Sequence, residues 1–516
     1  MKVSSGSFKL IYLLPLAVAI IHSIGTLNGP TFGPDSWSYF ELSKSVFNDF
    51  YKVNTWRQYQ VPGEYGISFP PLWPTTLAVF NQISDFGIYS GYLLNILLTA
   101  GIFWALCMLS RAVFKSYAYG PLMFSGLVLN FSYMNEIRSA RSLPLALLLI
   151  VLMLYFYFKE QHVSLRSVKA IGILAGLEAL TRFDFLLAGA MFGFVLIYMS
   201  PRERIRVCYN YYLSYLLALS PWIIYSLYRF KKPFISDNTR TVLASTKTHV
   251  TYYFTEPLPT IFDEPGRWIV KTYENIFIVL WNIADRALVK NPLLIILILA
   301  VAILFAVYYR NISNKEHAGH DNNVPNKLLM LLPVFIMLNL SVTITGYFYG
   351  RYFISTYIYI ILSLLYMSSR FSHSLGREAA FKKALYVIVT FFLIARIGVF
   401  YSGHDFNPAL NKEFIENTKF NELSRVINLS VDEPRVLIIN DTTMSAFMFG
   451  ALTETKSFTD PLNLDEETLM IFIQQFGITH VVTSDQAIVK TLQTQYGTEL
   501  LDRNHYVYLL RSRKND

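Results

Sequence analysis

Eleven mostly apolar stretches of roughly membrane-spanning length recur between residues 9 and 401, and no other feature limits the fold as strongly. They lie near 9–28, 87–110, 118–134, 142–158, 170–183, 185–200, 207–227, 291–309, 328–346, 352–369 and 384–401. A helix crosses the hydrocarbon core of a bilayer with about 20 such residues. The chain therefore reads as an α-helical polytopic membrane protein of about 11 transmembrane helices. The stretches on either side of residue 184 are short, which a bend accommodates. Composition agrees, with 53% hydrophobic and only 15% charged residues, against about 25% charged in soluble domains. A cytosolic globular enzyme is excluded.

The formal charge of +9 hides a partition. Residues 402–516 carry a net −6, which leaves +15 on residues 1–401. The positive excess thus lies in and beside the membrane, where it can face anionic head groups or a phosphate-bearing substrate; nucleic acid is a poor fit as a partner. The two cysteines, Cys107 and Cys208, provide neither a disulfide framework nor a Cys-based zinc site.

Short-loop Lys and Arg set the orientation. A cytoplasmic N-terminus gives the inner connections Arg111 and Lys115, then Lys159, Arg166 and Lys169, then Arg202, Arg204 and Arg206, and later Arg310, Lys315, Lys327, Arg370, Arg377, Lys382 and Lys383. The short outer connections keep only Arg138, Arg141, Arg182 and Arg351. Eleven spans from an inside start leave the acidic tail outside, in agreement with the charge partition. Lys2 and Lys9 before the first apolar core also fit a signal peptide, but no convincing small-x-small cleavage site follows Thr26, so the first helix is expected to stay.

Two long segments, 29–86 and 228–290, fall on the outer side and contain turn clusters and aromatic-rich amphipathic pieces suited to the interfacial plane. They are expected to cover an active site built on a transmembrane domain spanning 1–401. Residues 402–516 alternate strand-like runs (RVLIIN, THVVTS, YVYLL) with helical ones (SAFMFGAL, EETLMIFIQQFG, DQAIVKTLQTQYG) and read as a small extracytoplasmic α/β domain. No internal repeat is evident, and the one loose polar linker is 310–323.

Asp35, in GPDSWSYFELSKSVF just beyond the first span, is a functional candidate because ionisable groups at the membrane boundary are costly without a role. It also reads as a simple helix cap; both can hold. Phe69-Pro70-Pro71-Leu72 forces an extended approach to a helix start. Asn135, Glu136, Arg138 and Arg141 share the turn between the third and fourth spans. There, Glu136 is either a second acid beside Asp35 or half of a solvated Glu–Arg pair. Arg182 and Asp184 interrupt a very apolar stretch, either as a local pair or as an anion site, with Glu178 one turn deeper. Pro221-Trp222 ends the seventh span and precedes Arg229, Lys231 and Lys232, while Arg351-Tyr352 opens the tenth. Guanidinium and ammonium groups on the outer side suit a lipid-linked phosphate, although the 229–232 cluster equally suits ordinary phospholipid.

In their order along the chain these pieces resemble the GT-C-type membrane glycosyltransferases, in the branch of the aminoarabinose transferases and protein O-mannosyltransferases. The matching elements are Asp35 with Tyr39 in the first loop, Pro70 to Leu72 at the next apolar stretch, and G-x-x-A-G-L-x-A-L-T-R at 172–182. Pro221-Trp222 and Arg351-Tyr352 complete the series, and the likeness covers residues 8–370. The resemblance implies a sugar donor on a polyprenyl phosphate, an acceptor hydroxyl on a lipid, polysaccharide or protein, and a bacterial plasma membrane. Asp35 would be the catalytic base. Tyr39, Arg182, Asp184, Arg229, Lys231, Arg351 and Tyr352 would bind substrate. The chain departs from many members in having Ser36 after the aspartate in place of a second acid, so Glu136 is the expected partner acid. It also has Phe69 where some relatives have a lysine, which shifts phosphate contact toward Arg351, Arg182 and Lys231. Family members differ in the use of a divalent metal, and no His/Asp/Glu spacing here settles it. A lipid-linked sugar or polymer transporter is the rival reading, against which the lack of internal symmetry counts. A scaffold whose acidic tail binds a partner would leave Asp35 and Arg182 unexplained.

Overall fold

The computed structural model describes residues 10–24, 34–48, 51–52, 69–160, 163–231, 261–285, 323–344, 354–374, 376–402, 423, 425–427, 433–439, 455–459, 466–483, 485–502 and 507–511. Its helices are α1 (Leu14–Ile24), α2 (Pro34–Ser45), α3 (Leu72–Ser84), α4 (Tyr89–Phe114), α5 (Tyr119–Leu129), α6 (Phe131–Arg138) and α7 (Leu143–Phe158). They continue with α8 (Leu165–Thr181), α9 (Phe185–Met199), α10 (Arg204–Phe230), α11 (Pro265–Asp285), α12 (Asn323–Ile344), α13 (Ile354–Ser374) and α14 (Glu378–Ser402). A helix lies over each apolar stretch except that near 291–309, which falls outside the described residues. Among the described residues, α4 and Ile354–His373 are each long and apolar enough to cross a bilayer unaided.

The stretch near 118–134 is not one helix. Asn130 leaves the helical conformation at ψ 116° and caps α6 by accepting a hydrogen bond from the Tyr133 backbone N–H at 3.2 Å. Capping favours Asn because its side chain satisfies an otherwise orphaned helix-start donor. Helix α6 then meets α7 at a bend of 118°.

Close backbone approach organises the bundle. A Cβ at Gly172 would lie 2.6 Å from the Tyr211 carbonyl oxygen, and one at Gly176 would lie 2.6 Å from the Ala218 Cβ. Successive turns of α8 therefore meet successive turns of α10, so the two helices run in the same direction and their C-terminal ends emerge together. The glycines of the 172–182 motif thus act as small residues that let two membrane helices touch. At the other end of the bundle, buried Lys327 at the start of α12 donates its Nζ to the carbonyls of Tyr157, at 2.8 Å, and Glu160, at 2.6 Å. It thereby caps the C-terminus of α7, where a cation also suits the helix dipole. Tyr386 of α14 donates to the Ala118 carbonyl and stacks on Tyr12, with ring centroids 5.5 Å apart.

Beyond α14 the described residues form a five-stranded sheet of β1 (Arg435–Ile438), β2 (Lys456–Thr459), β3 (His480–Val482), β4 (Gly497–Asp502) and β5 (Val507–Arg511), in the order β2-β1-β3-β5-β4. Strand β1 is parallel to β2 and β3, whereas β5 is antiparallel to β3 and β4. Side chains alternate between faces along each strand. Leu437, Ile439 and Val481 pack with Phe472 and Ile473 of α15 (Glu466–Phe476) and Leu492 of α16 (Gln486–Gln495). Val436, Ile438, Val482 and Val507 point the other way, into a second cluster that also holds Leu423, Ile427, Trp37 and Phe40 of α2 and Ile88 before α4. The expected helical run SAFMFGAL lies outside the described residues.

Candidate functional site

Asp35 occupies the first turn of α2, half-buried, directly after Pro34. Proline presets the helical φ at that position, and a carboxylate near a helix N-terminus is stabilised in its charged form. Two contacts fix the helix to the turn between α6 and α7, and a third holds it to the approach to α3. Ser36 donates its hydroxyl to the Ser139 carbonyl, Tyr39 and Ser142 share a hydrogen bond of 3.2 Å, and Tyr39 packs on Phe69 with ring centroids 4.4 Å apart.

Residues 139–142 are themselves held from several sides. Trp73 of α3 donates its indole N–H to the Ala140 carbonyl at 3.2 Å, and Ala140 adopts a left-handed φ of 50°. A Cβ on Gly91 of α4 would lie 2.8 Å from the Ala140 Cβ, so the helix passes as closely as glycine allows. One turn back, buried Glu136 accepts from Arg141 Nη1 at 2.9 Å, while its backbone carbonyl accepts from Asn95 at 3.3 Å. The Glu–Arg pair foreseen as one alternative is formed, though inside the protein and not in solvent.

The second part of the site is the emerging ends of α8 and α10. Arg182 grips Asp184 with two parallel hydrogen bonds, Nε to Oδ1 at 3.1 Å and Nη2 to Oδ2 at 2.6 Å. Such a fork fixes the guanidinium plane as well as its charge. Glu178, one turn earlier, is 1% exposed, and its Oε2 is buried without a hydrogen-bond partner among the described residues. Phe183, between the forked residues, packs on Trp222 with centroids 5.8 Å apart. Trp222 in turn meets Tyr225 at 5.0 Å and Tyr51 at 5.4 Å.

Tyr51 closes the circuit. Its hydroxyl donates to the Phe69 carbonyl at 3.0 Å, and Phe69 is the residue against which Tyr39 packs. An unbroken series of contacts therefore runs from the helix of Asp35 through Tyr39, Phe69, Tyr51, Trp222 and Phe183 to Arg182 and Asp184. Asp35, Tyr39, Glu136, Arg182 and Asp184 are gathered at one end of the bundle. Arg229 and Lys231 lie further along, exposed at the C-terminus of α10, with the Arg229 guanidinium 5.5 Å from the Tyr228 ring centroid. Basic residues also suit that position through the helix dipole. Arg351, Tyr352 and Lys232 lie outside the described residues.

Sequence reasoning did not single out Tyr51, Trp73, Asn95 or the Ser139–Ser142 pair of contacts. The aromatic density of residues 29–86 was the available signal for Tyr51 and Trp73; nothing local marks the others. For a divalent metal, no three His, Cys, Asp or Glu side chains come together as ligands among the described residues.

No protein-family model matches the chain, and no curated protein matches it in sequence. Among solved structures, ArnT from Cupriavidus metallidurans bound to undecaprenyl phosphate is similar over 96% of this chain and 97% of its own, at 12% identity and a TM-score of 0.51. The oligosaccharyltransferase of Archaeoglobus fulgidus in complex with Zn and sulfate is similar over 94% of this chain and 68% of its own, at 11% identity and a TM-score of 0.55. At such identities the likeness is one of architecture. The chain has the fold of the GT-C membrane glycosyltransferases.

Proposed function

We propose that the protein is an integral-membrane inverting glycosyltransferase that moves a sugar from a polyprenyl phosphate to a hydroxyl acceptor on the outer face of the plasma membrane. Within this reading residues 1–401 carry the chemistry and residues 402–516 form an extracytoplasmic domain. The observation that carries it is the meeting of the Asp35 helix with the Arg182–Asp184 fork through one series of aromatic contacts, within a fold whose solved examples include one bound to undecaprenyl phosphate.

Asp35, in the first turn of α2, takes the proton of the acceptor hydroxyl. The acceptor oxygen forms its bond to C1 of the sugar from the face opposite the phosphate, and the C1–O bond breaks with its electron pair leaving on the phosphate. Arg182, oriented by Asp184, compensates that gathering charge, as Arg351 does from the tenth span; Tyr352, Arg229 and Lys231 hold the rest of the lipid phosphate. Tyr39 lines the acceptor side. Glu136, paired with Arg141 at 2.9 Å, is the second acid and shapes the field around Asp35.

The test is Asp35→Asn in detergent, supplied with a panel of polyprenyl-phosphate sugars and wild-type membranes as acceptor. Loss of transfer by about 10²- to 10⁴-fold, with the variant still folded, is the expected result. An asparagine variant that transfers like the wild type removes Asp35 from its role. A wild type that transfers nothing yet carries lipid-linked sugar across vesicles establishes the transporter.

A further inference from the structure

Helix α2 cannot owe its order to its own sequence. It has twelve residues, opens on proline and contains four serines. Helices of about 12 residues are marginal in water even when rich in alanine, and serine is a weaker helix former. The order must come from what the helix is packed against: α2 packs along α3, where Tyr39 joins Trp73 in a buried cluster, and it is held on two further sides. Ser36 and Tyr39 hold the turn between α6 and α7, and Leu42 enters the core of the bundle. Trp37 and Phe40, 5% and 7% exposed, belong to one buried apolar cluster with Val436, Ile438, Val482 and Val507 of the sheet.

The two sides are not equivalent with respect to Asp35. At 3.6 residues per turn, Trp37 lies about 160° and Phe40 about 140° around the helix axis from Asp35. The sheet therefore backs α2 from the side opposite the carboxylate. The seat is also specific in register, since the residues that point at α2 are alternate positions on β1 together with Val482 and Val507 across the ladder. Leu423 and Ile427 extend the same cluster on the sheet side, and Ile88 with the partly buried Tyr89 extends it on the side of α4, so the cluster joins residues near the start of the chain to residues some 400 positions away.

The geometry points to a positioning role for this sheet: Trp37 and Phe40, joined in one buried cluster with Val436, Ile438, Val482 and Val507, set the placement of Asp35, and the chain beyond α14 is part of the catalytic apparatus without touching substrate. This rests on the reading of Asp35 as base. A sheet that reaches solvent on its other parts and holds the base helix from behind couples anything that displaces it to the rate of proton removal, not to the hold on the donor phosphate, which is gripped from α8. A displacement of about 1 Å at a catalytic group is worth up to about a hundredfold in rate.

The experiment uses the full-length protein in detergent and compares Trp37→Ala, Trp37→Phe and the sheet-side double variant Val482→Ala/Val507→Ala. Amide exchange over residues 34–45 is measured with transfer kinetics. Trp37→Ala is expected to speed exchange in α2 about tenfold while α7 and α8 keep their protection. It lowers kcat by about ten- to a hundredfold with the donor KM within about twofold. Trp37→Phe restores most of both, and the double variant shows the same split in smaller measure although both valines lie in the sheet and not in the bundle. Unchanged exchange in Trp37→Ala, or faster exchange with kcat unchanged, overturns the proposal, as does a donor KM that rises in step with the fall in kcat. A wild type without transfer defeats the assignment of Asp35, and with it the positioning role, before any variant is made; the exchange data then report the seat alone.

Discussion

Tyr51 meets Trp222 edge-on, with ring centroids 5.4 Å apart, and does so from a left-handed backbone at φ 69°. The contact joins the first long connection of the chain to the end of α10, two pieces separated by seven helices, α3 to α9, in sequence. Non-glycine residues seldom adopt that backbone, and when they do the surroundings over-determine it. Here the fixing contacts are the Trp222 and Tyr225 rings and the hydrogen bond to Phe69.

Removing the hydroxyl and removing the ring should therefore separate cleanly. Tyr51→Phe forfeits one hydrogen bond and is expected to cost about 1 kcal/mol. Tyr51→Ala leaves a cavity among Trp222, Tyr225 and Phe69 and is expected to cost about 3 to 5 kcal/mol. Thermal unfolding in detergent orders the variants. Equal destabilisation by both would show that the hydroxyl, and not the ring, holds this junction.

The glycine at the heart of the 172–182 motif gives a second test, because helix propensity and packing pull in opposite directions there. Alanine is the better helix former by about 1 kcal/mol. At Gly176, however, a Cβ would stand 2.6 Å from the Ala218 Cβ and 2.7 Å from the Tyr215 carbonyl oxygen, so α8 and α10 must part. Overpacking of this kind costs about 1 to 3 kcal/mol, and Gly176→Ala is expected to lower the melting temperature. Gly266→Ala is the control, since nothing lies within 4 Å of a Cβ at that position in α11, and it should be neutral or stabilising. A stabilised Gly176→Ala would mean that the two helices touch less closely than described.

What the sequence made legible divides along the same line as the forces involved. Burial in a bilayer is a local, one-dimensional demand, so α4, α7, α8, α9, α10, α12, α13 and α14 could be located from apolar stretches alone. The break at Asn130 was missed because a capping side chain within an apolar run leaves hydropathy unchanged. In the tail, β1, β3 and β5 stood out by their apolar alternation. Strand β2, KSFT, is short and half polar, and β4, GTELLD, begins on glycine and ends on aspartate; both pass for turns.

The candidate site was legible only where residue type itself was the signal. Asp35 and Arg182 drew notice as charges at a membrane boundary, and their neighbours Tyr39 and Trp222 through the motifs around them. The contacts that bring them together could not be read, because Ser36 with Ser139 and Tyr51 with Trp222 are pairings of ordinary residues over 103 and 171 positions. The seat of α2 on the sheet is longer-ranged still. Charge and hydropathy mark which residues are costly to place; which of them meet is decided by packing that a single sequence does not display.

That sheet carries a pH dependence of its own. His480 lies in β3, paired with Val436 on one side and Leu509 on the other, and is fully buried, with Thr479 Oγ1 at 2.8 Å from its Nδ1. Burial disfavours the charged imidazolium and brings its pKa down to about 4, from an ordinary value near 6.5. The unfolded chain therefore binds the proton more readily than the folded one between these values, so stability is complete above about pH 6.5 and falls as the pH drops toward 4. At one pKa unit per about 1.4 kcal/mol, about 2 kcal/mol is lost by pH 5. Amide exchange in β1, β3 and β5 should accordingly be faster at about pH 5 than at pH 7.5 once corrected for intrinsic rates, and the excess should be much reduced in His480→Gln, which cannot take up a proton in this range. An excess that persists undiminished in the glutamine variant would assign the acid sensitivity to the carboxylates of the tail and not to this histidine.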